Sequence, residues 1–323
     1  MPDSYLVIGG GGLLGHHIVE LLLARGEPSV AVFDVVAASF DSRVQVFAGD
    51  ILDVQRLTEV VKSCAATCII HTAAILQGPS RQVQFQVNVT GTENVIKVAL
   101  ACGVTKLVYT SSASVVFDGR DQNGIDETLP YPEKFFDTYN ETKAIAETAV
   151  LKANGQDGLN TASLRVAGLF GPGDRVTIPA FMEVLERGRT GSQIGDNTNL
   201  FDWTYIKNAA YAHLLAADRL DPAHPKHALV AGQAFFISNG EPRPWWDFPR
   251  AIWKAAGHVP NRTIGTQPFL SRFRVTYVCT ARWCNITKAR KALDYEPIVS
   301  LDDGIQETVK WWKENHRAQS KQS

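Results

Sequence analysis

The sequence lacks several features that would each point to a broad class of function. It has no excess charge, since 32 Lys and Arg stand against 33 Asp and Glu for a net charge of -1. No global field therefore favours nucleic acid or an anionic membrane surface, and no nucleic-acid partner is expected. It has no run of about 18 apolar residues, the least that spans a bilayer as a helix. Its first residues, Met1-Pro2-Asp3-Ser4, lack the basic-then-apolar order of a signal peptide. A soluble cytoplasmic protein without a transmembrane segment is expected. Cysteines are few and odd in number (Cys64, Cys68, Cys102, Cys279, Cys284). Four of them sit in apolar stretches, where a reduced thiol behaves as a small hydrophobe, so a reducing compartment fits. His224 and His227 have metal-like spacing, but Pro and Asp mark a loop around them and no Cys or carboxylate set accompanies them. No metal is expected, and no repeat or low-complexity tract appears.

What is present is an alternation of short β-branched runs with helical patterns. Leu6–Ile8, Val30–Phe33, Val44–Phe47, Cys68–Ile70, Leu107–Tyr109 and Ala162–Leu164 read as strands buried on both faces, which implies a parallel sheet. Leu14, Ile18, Leu21 and Leu22, and then Val87, Val95, Val98 and Ala99, are spaced for helices laid on that sheet. The expected fold is α/β, a Rossmann-type doubly wound parallel sheet followed by a smaller mixed α/β C-terminal substrate-binding subdomain. The division falls at residues 1–165 and 166–323. Later helices are expected at about 177–188, 207–219, 245–256 and 301–315.

The first strand runs into Gly9-Gly10-Gly11-Gly12-Leu13-Leu14-Gly15. Gly9, Gly12 and Gly15 have the spacing of a turn that lets a pyrophosphate approach the backbone, and the amides of Leu13 and Leu14 open a helix whose positive end faces that anion. Asp34 follows Gly15 by 19 residues at the end of the next apolar run. A carboxylate there accepts hydrogen bonds from ribose hydroxyls and repels a 2′-phosphate, so NAD is favoured over NADP. Asp50 and Ile51, after the third strand, suit either the adenine edge or, as with Asp53, a helix cap. Ala73 belongs to a small-residue stretch, His71-Thr72-Ala73-Ala74, past which a dinucleotide can run, while His71 itself reads as a packed residue.

Tyr139 and Lys143 are four residues apart, on one face of a helix. A free tyrosine hydroxyl has a pKa near 10, too high for a base near neutrality. An adjacent ammonium and an oxidised nicotinamide both favour the phenolate. Tyr139 then takes the proton of a substrate alcohol as hydride leaves its carbon. Ser112, at the end of a strand, is placed to bond the same oxygen. Ser111 competes for that role, because strand alternation lets only one of the two face the substrate. Lys143 also suits the cofactor's ribose hydroxyls.

These motifs, together with Thr110–Phe117, Gly168–Asp174 and Ile194–Tyr205, resemble the extended short-chain dehydrogenase/reductase superfamily over essentially the whole chain. Within it they resemble the 3β-hydroxysteroid dehydrogenase family, and Ile194–Tyr205 is most similar to its fungal members. The resemblance implies oxidation of a 3β-hydroxyl by NAD⁺ to a ketone β to a C4 carboxylate, followed by decarboxylation. It assigns Tyr139 as base, Lys143 as tuner and Ser112 as orienter. It also implies a homodimer through the helices around 80–102 and 134–152.

Two departures stand out. Val166 occupies the place of a family proline after Arg165, in the loop expected beside the nicotinamide. His258–Val278 is short and polar, carrying Arg262, Arg272 and Arg274 where family sterol enzymes have a long apolar stretch. The expected substrate is therefore an apolar steroid, terpenoid or polyketide alcohol or ketone, carboxylated if Arg272 or Arg274 binds it bidentately, though solvation or pairing with surface acids accounts for both arginines more simply. Trp245, Trp246 and Phe248 suit helix packing or a pocket wall. The competing readings are a carbonyl reductase or sugar-nucleotide epimerase of the same superfamily, and a dinucleotide sensor without turnover.

Overall fold

Strands that are apolar on both faces must be covered on both faces, and the centre of the chain is built that way. The computed structural model describes residues 2–36, 38–76, 78–259, 264–265 and 272–319. The side chains of Arg272 and Arg274, and the whole of Arg262, lie outside the described residues. The first strands are β1 (Ser4–Ile8), β2 (Ser29–Asp34), β3 (Val44–Ala48), β4 (Cys68–His71) and β5 (Lys106–Ser112). With Asn160–Val166 and Gln233–Ile237 they form one seven-stranded sheet. Its order is Gln233–Ile237, Asn160–Val166, β5, β4, β1, β2, β3, and every neighbouring pair is parallel.

Side-chain alternation divides the core into two layers. Tyr5, Val7, Val30, Val32 and Ile70 face α1 (Leu13–Arg25) and helix Ile206–Arg219. Leu6, Ile8, Phe33, Ile69 and Leu107 face α2 (Val54–Ser63) and the helices Gly91–Ala101 and Thr138–Lys152. α1 buries Leu14, Ile18, Val19 and Leu22 and ends at Gly26, whose φ of 82° closes the last turn with bonds to Leu22 and Leu23. Truncating one of these fully buried leucines to alanine costs about 2–5 kcal/mol.

All six strands read from the sequence form. The seventh, Gln233–Ile237, was not legible. It lies some 67 residues beyond its partner Asn160–Val166, and its register, from Gln233 opposite Ala162 to Ile237 opposite Val166, is set across that gap. The later helices form at Thr177–Glu186, Ile206–Arg219, Asp247–Ala255 and Leu301–Gln319. Helix Ile206–Arg219 packs against α1, so residues after 166 supply both a strand and a helix to the first layer.

A second, four-stranded mixed sheet is ordered Arg243–Pro244, Leu200–Phe201, Arg282–Cys284, Gln122–Ile125. Gly168–Phe170 pairs with Trp203–Tyr205 nearby. Val166 is the last residue of its strand, opposite Ser112 and Ile237, and not part of a loop. The chain leaves the sheet one residue later, at Ala167. Among the described residues no helix is long and apolar enough to cross a membrane.

Candidate active site

The strand order reverses between β4 and β1, and a crevice opens at the carboxyl ends of the strands there. It widens into a cavity of about 1720 Å³ that reaches the second sheet. That exceeds the ~300–1,000 Å³ of an ordinary ligand pocket and leaves space for a dinucleotide and a second molecule.

Glycine is required at the turn for steric reasons. Gly9 has φ +85°, and a Cβ on it would lie 2.6 Å from the Ala73 amide nitrogen. A Cβ on Gly15 would lie 2.2 Å from the Gly9 carbonyl oxygen. The turn and the start of α1 are thus pressed together, backbone on backbone. The N-cap is Gly12, with no side chain to bond the first amides of α1, so the N–H groups of Leu13, Leu14 and Gly15 point outward without an intrahelical acceptor. This is a cradle of free donors beside a space that a side chain would fill, and it fits a pyrophosphate.

Asp34 ends β2 and braces the turn, its Oδ2 accepting the Gly11 N–H at 2.9 Å and its Oδ1 the Val36 N–H at 3.1 Å. Asp53, not Asp50, caps α2, accepting the Arg56 N–H at 2.9 Å. Asp50 turns back on the Leu52 N–H and borders the cavity, and the Ile51 side chain beside it is buried. Gly9, Gly12, Leu13, Leu14, Gly15, Asp34, Asp50, Ile51, Ala73 and Lys143 all line this one cavity, together with Ser112 and Tyr139. His71 does not. Its ring is fully buried, with Nε2 3.0 Å from Thr92 Oγ1, and burial, with the Lys143 charge adding, pushes its pKa down to about 3.

Tyr139 sits in the first turn of helix Thr138–Lys152, which Asp137 caps by accepting the Asn140 N–H at 2.8 Å. Lys143, one turn on, is 2% exposed; its Nζ donates to the Thr110 carbonyl at 2.6 Å and lies 4.2 Å from the Tyr109 ring centroid. Burial pulls its pKa down to about 7, against the opposing charge of Glu147. Burial also pushes the Tyr139 phenol up to about 12, while a hydrogen bond from Ser112 pulls it down and the charge of Asp137 pushes it up. In the protein alone, burial outweighs the influences that would acidify the phenol.

The choice between the two serines follows from strand alternation. Ser112 faces the cavity, 2.7 Å from Ser114 Oγ and in hydrogen-bond contact with Tyr139. Ser111 is 3% exposed and turned toward Glu147. Glu147 is itself clamped by Arg165 at 2.8 Å, Tyr131 at 2.5 Å and Ser163 at 2.8 Å. This buried cluster anchors the far side of the Tyr139 helix to strand Asn160–Val166.

Three residues around the site were not read from the sequence. Ser114 shares the Ser112 hydroxyl. Asn88 lies in a π-helical stretch, Phe85–Thr90, between helices Arg81–Gln84 and Gly91–Ala101. It accepts the Ile75 N–H and donates to the Ile75 carbonyl and to Thr142, tying the loop after β4 to the Tyr139 helix. Such insertions often sit at functional positions, but nothing in the sequence spacing marks this one. The third is Arg282, on the second sheet.

Trp245 reaches the cavity wall, while Phe248 is buried in an aromatic cluster, 3.8 Å from Trp203 in a stacked pair. Trp246 bonds the Ile194 carbonyl through Nε1. His224 and His227 serve local bonds, to the Lys226 amide and to Asn160.

A doubly wound sheet with a glycine turn at its switch point, and Ser, Tyr and Lys on the facing strand and helix, defines a nicotinamide-dependent short-chain dehydrogenase/reductase of the extended type. The chain belongs to the 3-beta hydroxysteroid dehydrogenase/isomerase family, which it matches over residues 6–267. It is 43% identical over 337 residues to the decarboxylating sterol-4-alpha-carboxylate 3-dehydrogenase of Schizosaccharomyces pombe, covering 96% of this chain and 98% of that one. An epimerase of Methanothermobacter thermautotrophicus superposes with a TM-score of 0.82 at 22% identity, over 99% of this chain and 95% of that one. The UDP-glucose 4-epimerase of Thermus thermophilus, solved with NAD, gives a TM-score of 0.75 at 25% identity, over 96% and 99%.

Proposed function

We propose that the protein oxidises the 3β-hydroxyl of a steroid-like 4-carboxylate with NAD⁺, and that the resulting β-keto acid loses CO₂. The observation that carries this is the convergence of Ser112, Tyr139 and Lys143 on one wall of the cavity that begins at the glycine turn. The kinship with a decarboxylating sterol dehydrogenase supplies the substrate class.

Gly9, Gly12 and Gly15 let the pyrophosphate approach, the amides of Leu13 and Leu14 bond it, and Asp34 takes the ribose hydroxyls. Asp50 and Ile51 flank the adenine, and Ala73 leaves room along the crevice. Asp34 selects NAD over NADP, since the nearest arginine after it, Arg43, is held by Asp41 at 2.9 Å. Bound here, an oxidised nicotinamide would supply the hydride acceptor and a positive charge that favours the phenolate. Tyr139 receives the carbinol proton as the hydride leaves, Ser112 orients the oxygen, and Lys143 holds the ribose and favours the phenolate. The C3 ketone then accepts the electron pair of the breaking C4–carboxylate bond as an enolate, which is reprotonated at carbon.

Residues 166–323, apart from the elements that rejoin the main sheet, form the substrate side in this reading. The five thiols are free, which suits a reducing cytoplasmic setting. Dimerisation through the helices around 80–102 and 134–152 belongs to the same proposal.

The test is a reaction with NAD⁺, or NADP⁺ for comparison, and a 3β-hydroxy-4α-carboxysterol labelled in the carboxyl group. One NADH and one labelled CO₂ per 3-ketone are expected. A carbonyl reductase or an epimerase yields no net NADH, and a sensor binds NAD without turnover, so either outcome overturns the proposal.

A further inference from the structure

Among the described residues the two buried arginines have acidic partners, and the partly buried Arg282 has none. Arg165 is paired with Glu147 at 2.8 Å, and Arg219 with Asp294 at 2.9 Å. Arg282 opens strand Arg282–Cys284, opposite Phe201 and Gln122, where the second sheet closes the cavity. Three rings enclose its guanidinium, with centroids at 3.9 Å (Tyr277), 4.7 Å (Phe201) and 4.9 Å (Phe117). Nη2 donates to the Tyr277 carbonyl at 2.8 Å, but the Nε–H is shut away from water without an acceptor. Among the described residues no carboxylate pairs with it. Burial pulls the guanidinium below its usual range, opposed by Tyr277 and, more weakly, by Asp137.

Aromatic faces offset only part of the cost of desolvating a guanidinium, and the remainder calls for an anion. Arg282 and Tyr139 line the same cavity, with Phe117, Phe201 and Tyr277 of the arginine's enclosing rings also on its wall. A β-hydroxy acid carries its carbinol and its carboxylate on adjacent carbons, and so needs a base and a cation close together. A guanidinium meets a carboxylate in a bidentate fork that an ammonium does not reproduce.

We propose that Arg282 receives the carboxylate of the substrate and selects acids over neutral alcohols of the same skeleton. The proposal deepens the one made for the activity and rests on it. The sequence offered Arg272 and Arg274 for this role, beside the stronger reading that they are solvated or pair with surface acids, and their side chains lie outside the described residues.

The test compares a 3β-hydroxy-4α-carboxysterol with its neutral 4-methyl counterpart, using wild type, Arg282→Gln and Arg282→Lys with NAD⁺. For the acid, Arg282→Gln is expected to raise KM by roughly 100-fold or more, with kcat changing far less. The neutral sterol keeps its kcat/KM, and Arg282→Lys recovers part of the preference for the acid. Equal losses on both substrates would make Arg282 a structural residue and overturn the proposal, as would an unaltered KM for the acid. If Arg282→Gln does not fold, Arg282→Lys against wild type carries the same comparison. Should wild type release no NADH from either sterol, the proposed activity fails. Binding then decides on Arg282, by tryptophan fluorescence with the acid and its methyl ester. A preference for the acid that Arg282→Gln or Arg282→Lys weakens supports the assignment, and no preference in wild type overturns it.

Discussion

Two glycines of the turn, three residues apart, are expected to fail in different ways when given a methyl group. A Cβ on Gly15 would lie 2.2 Å from the Gly9 oxygen and 2.7 Å from the Gly10 Cα. Both atoms are backbone, so no side chain can swing aside, and α1 has to back away from the turn by close to an ångström. Overpacking of this kind costs about 1–3 kcal/mol, occasionally more. Alanine in a helix returns up to about 1 kcal/mol relative to glycine, so a net loss of about 1–2 kcal/mol is expected for Gly15→Ala. Gly12 differs, since its φ of -76° suits any residue and its Cβ would meet only the Gly9 oxygen, at 3.2 Å. Gly12→Ala costs about 1 kcal/mol or less, mainly as a poorer N-cap. Its methyl group, however, stands where the pyrophosphate has to approach, and NAD(H) affinity falls roughly tenfold or more. Urea unfolding without cofactor and fluorescence titration with NADH separate the two effects. Gly15→Ala should lose both stability and affinity, and Gly12→Ala chiefly affinity. If Gly12→Ala binds NADH as tightly as wild type, or Gly15→Ala unfolds at the wild-type urea concentration, the geometric reasoning is wrong.

Two further outcomes are expected. Tyr139→Phe removes only the phenol oxygen and should lower turnover roughly a hundredfold to ten-thousandfold while leaving the NADH dissociation constant unchanged; near-normal turnover would exclude the phenol as base. Lys143 is held near pKa 7 in the folded chain, well below its unfolded value of about 10.4. Between those values the unfolded chain binds the extra proton, so this group makes the cofactor-free protein more stable as pH rises and less stable as pH falls toward 7. Compared with Lys143→Met, which cancels the other titrating groups, wild type should gain about 2 kcal/mol between pH ~7 and ~8.5. Parallel stability curves for the two proteins would show that burial does not depress this ammonium.

Much of the molecule was legible from local pattern. A strand apolar on both faces declares a covered parallel sheet, so β1 to β5 and Asn160–Val166 could be read residue by residue. The turn from Gly9 to Gly15 and the i, i+4 pair of Tyr139 and Lys143 were equally plain, because their spacing is set within one turn of backbone. Other decisions depended on partners far away in the chain. Strand Gln233–Ile237 belongs to the main sheet because Asn160–Val166 offers it an edge, and five residues carry no record of that. Alternation lets one of Ser111 and Ser112 face the cavity, and only the fold, which turns Ser111 toward Glu147, picks Ser112. Asp53 rather than Asp50 caps α2, leaving Asp50 at the crevice. Arg282 resembles any arginine in a short strand until folding sets three rings around it and, among the described residues, pairs no carboxylate with it. By itself the sequence determined the elements and the chemistry that short-range spacing can encode. Tertiary structure alone decided which groups share a cavity and which charges lose their water, since burial and pairing are properties of neighbours that only folding brings together.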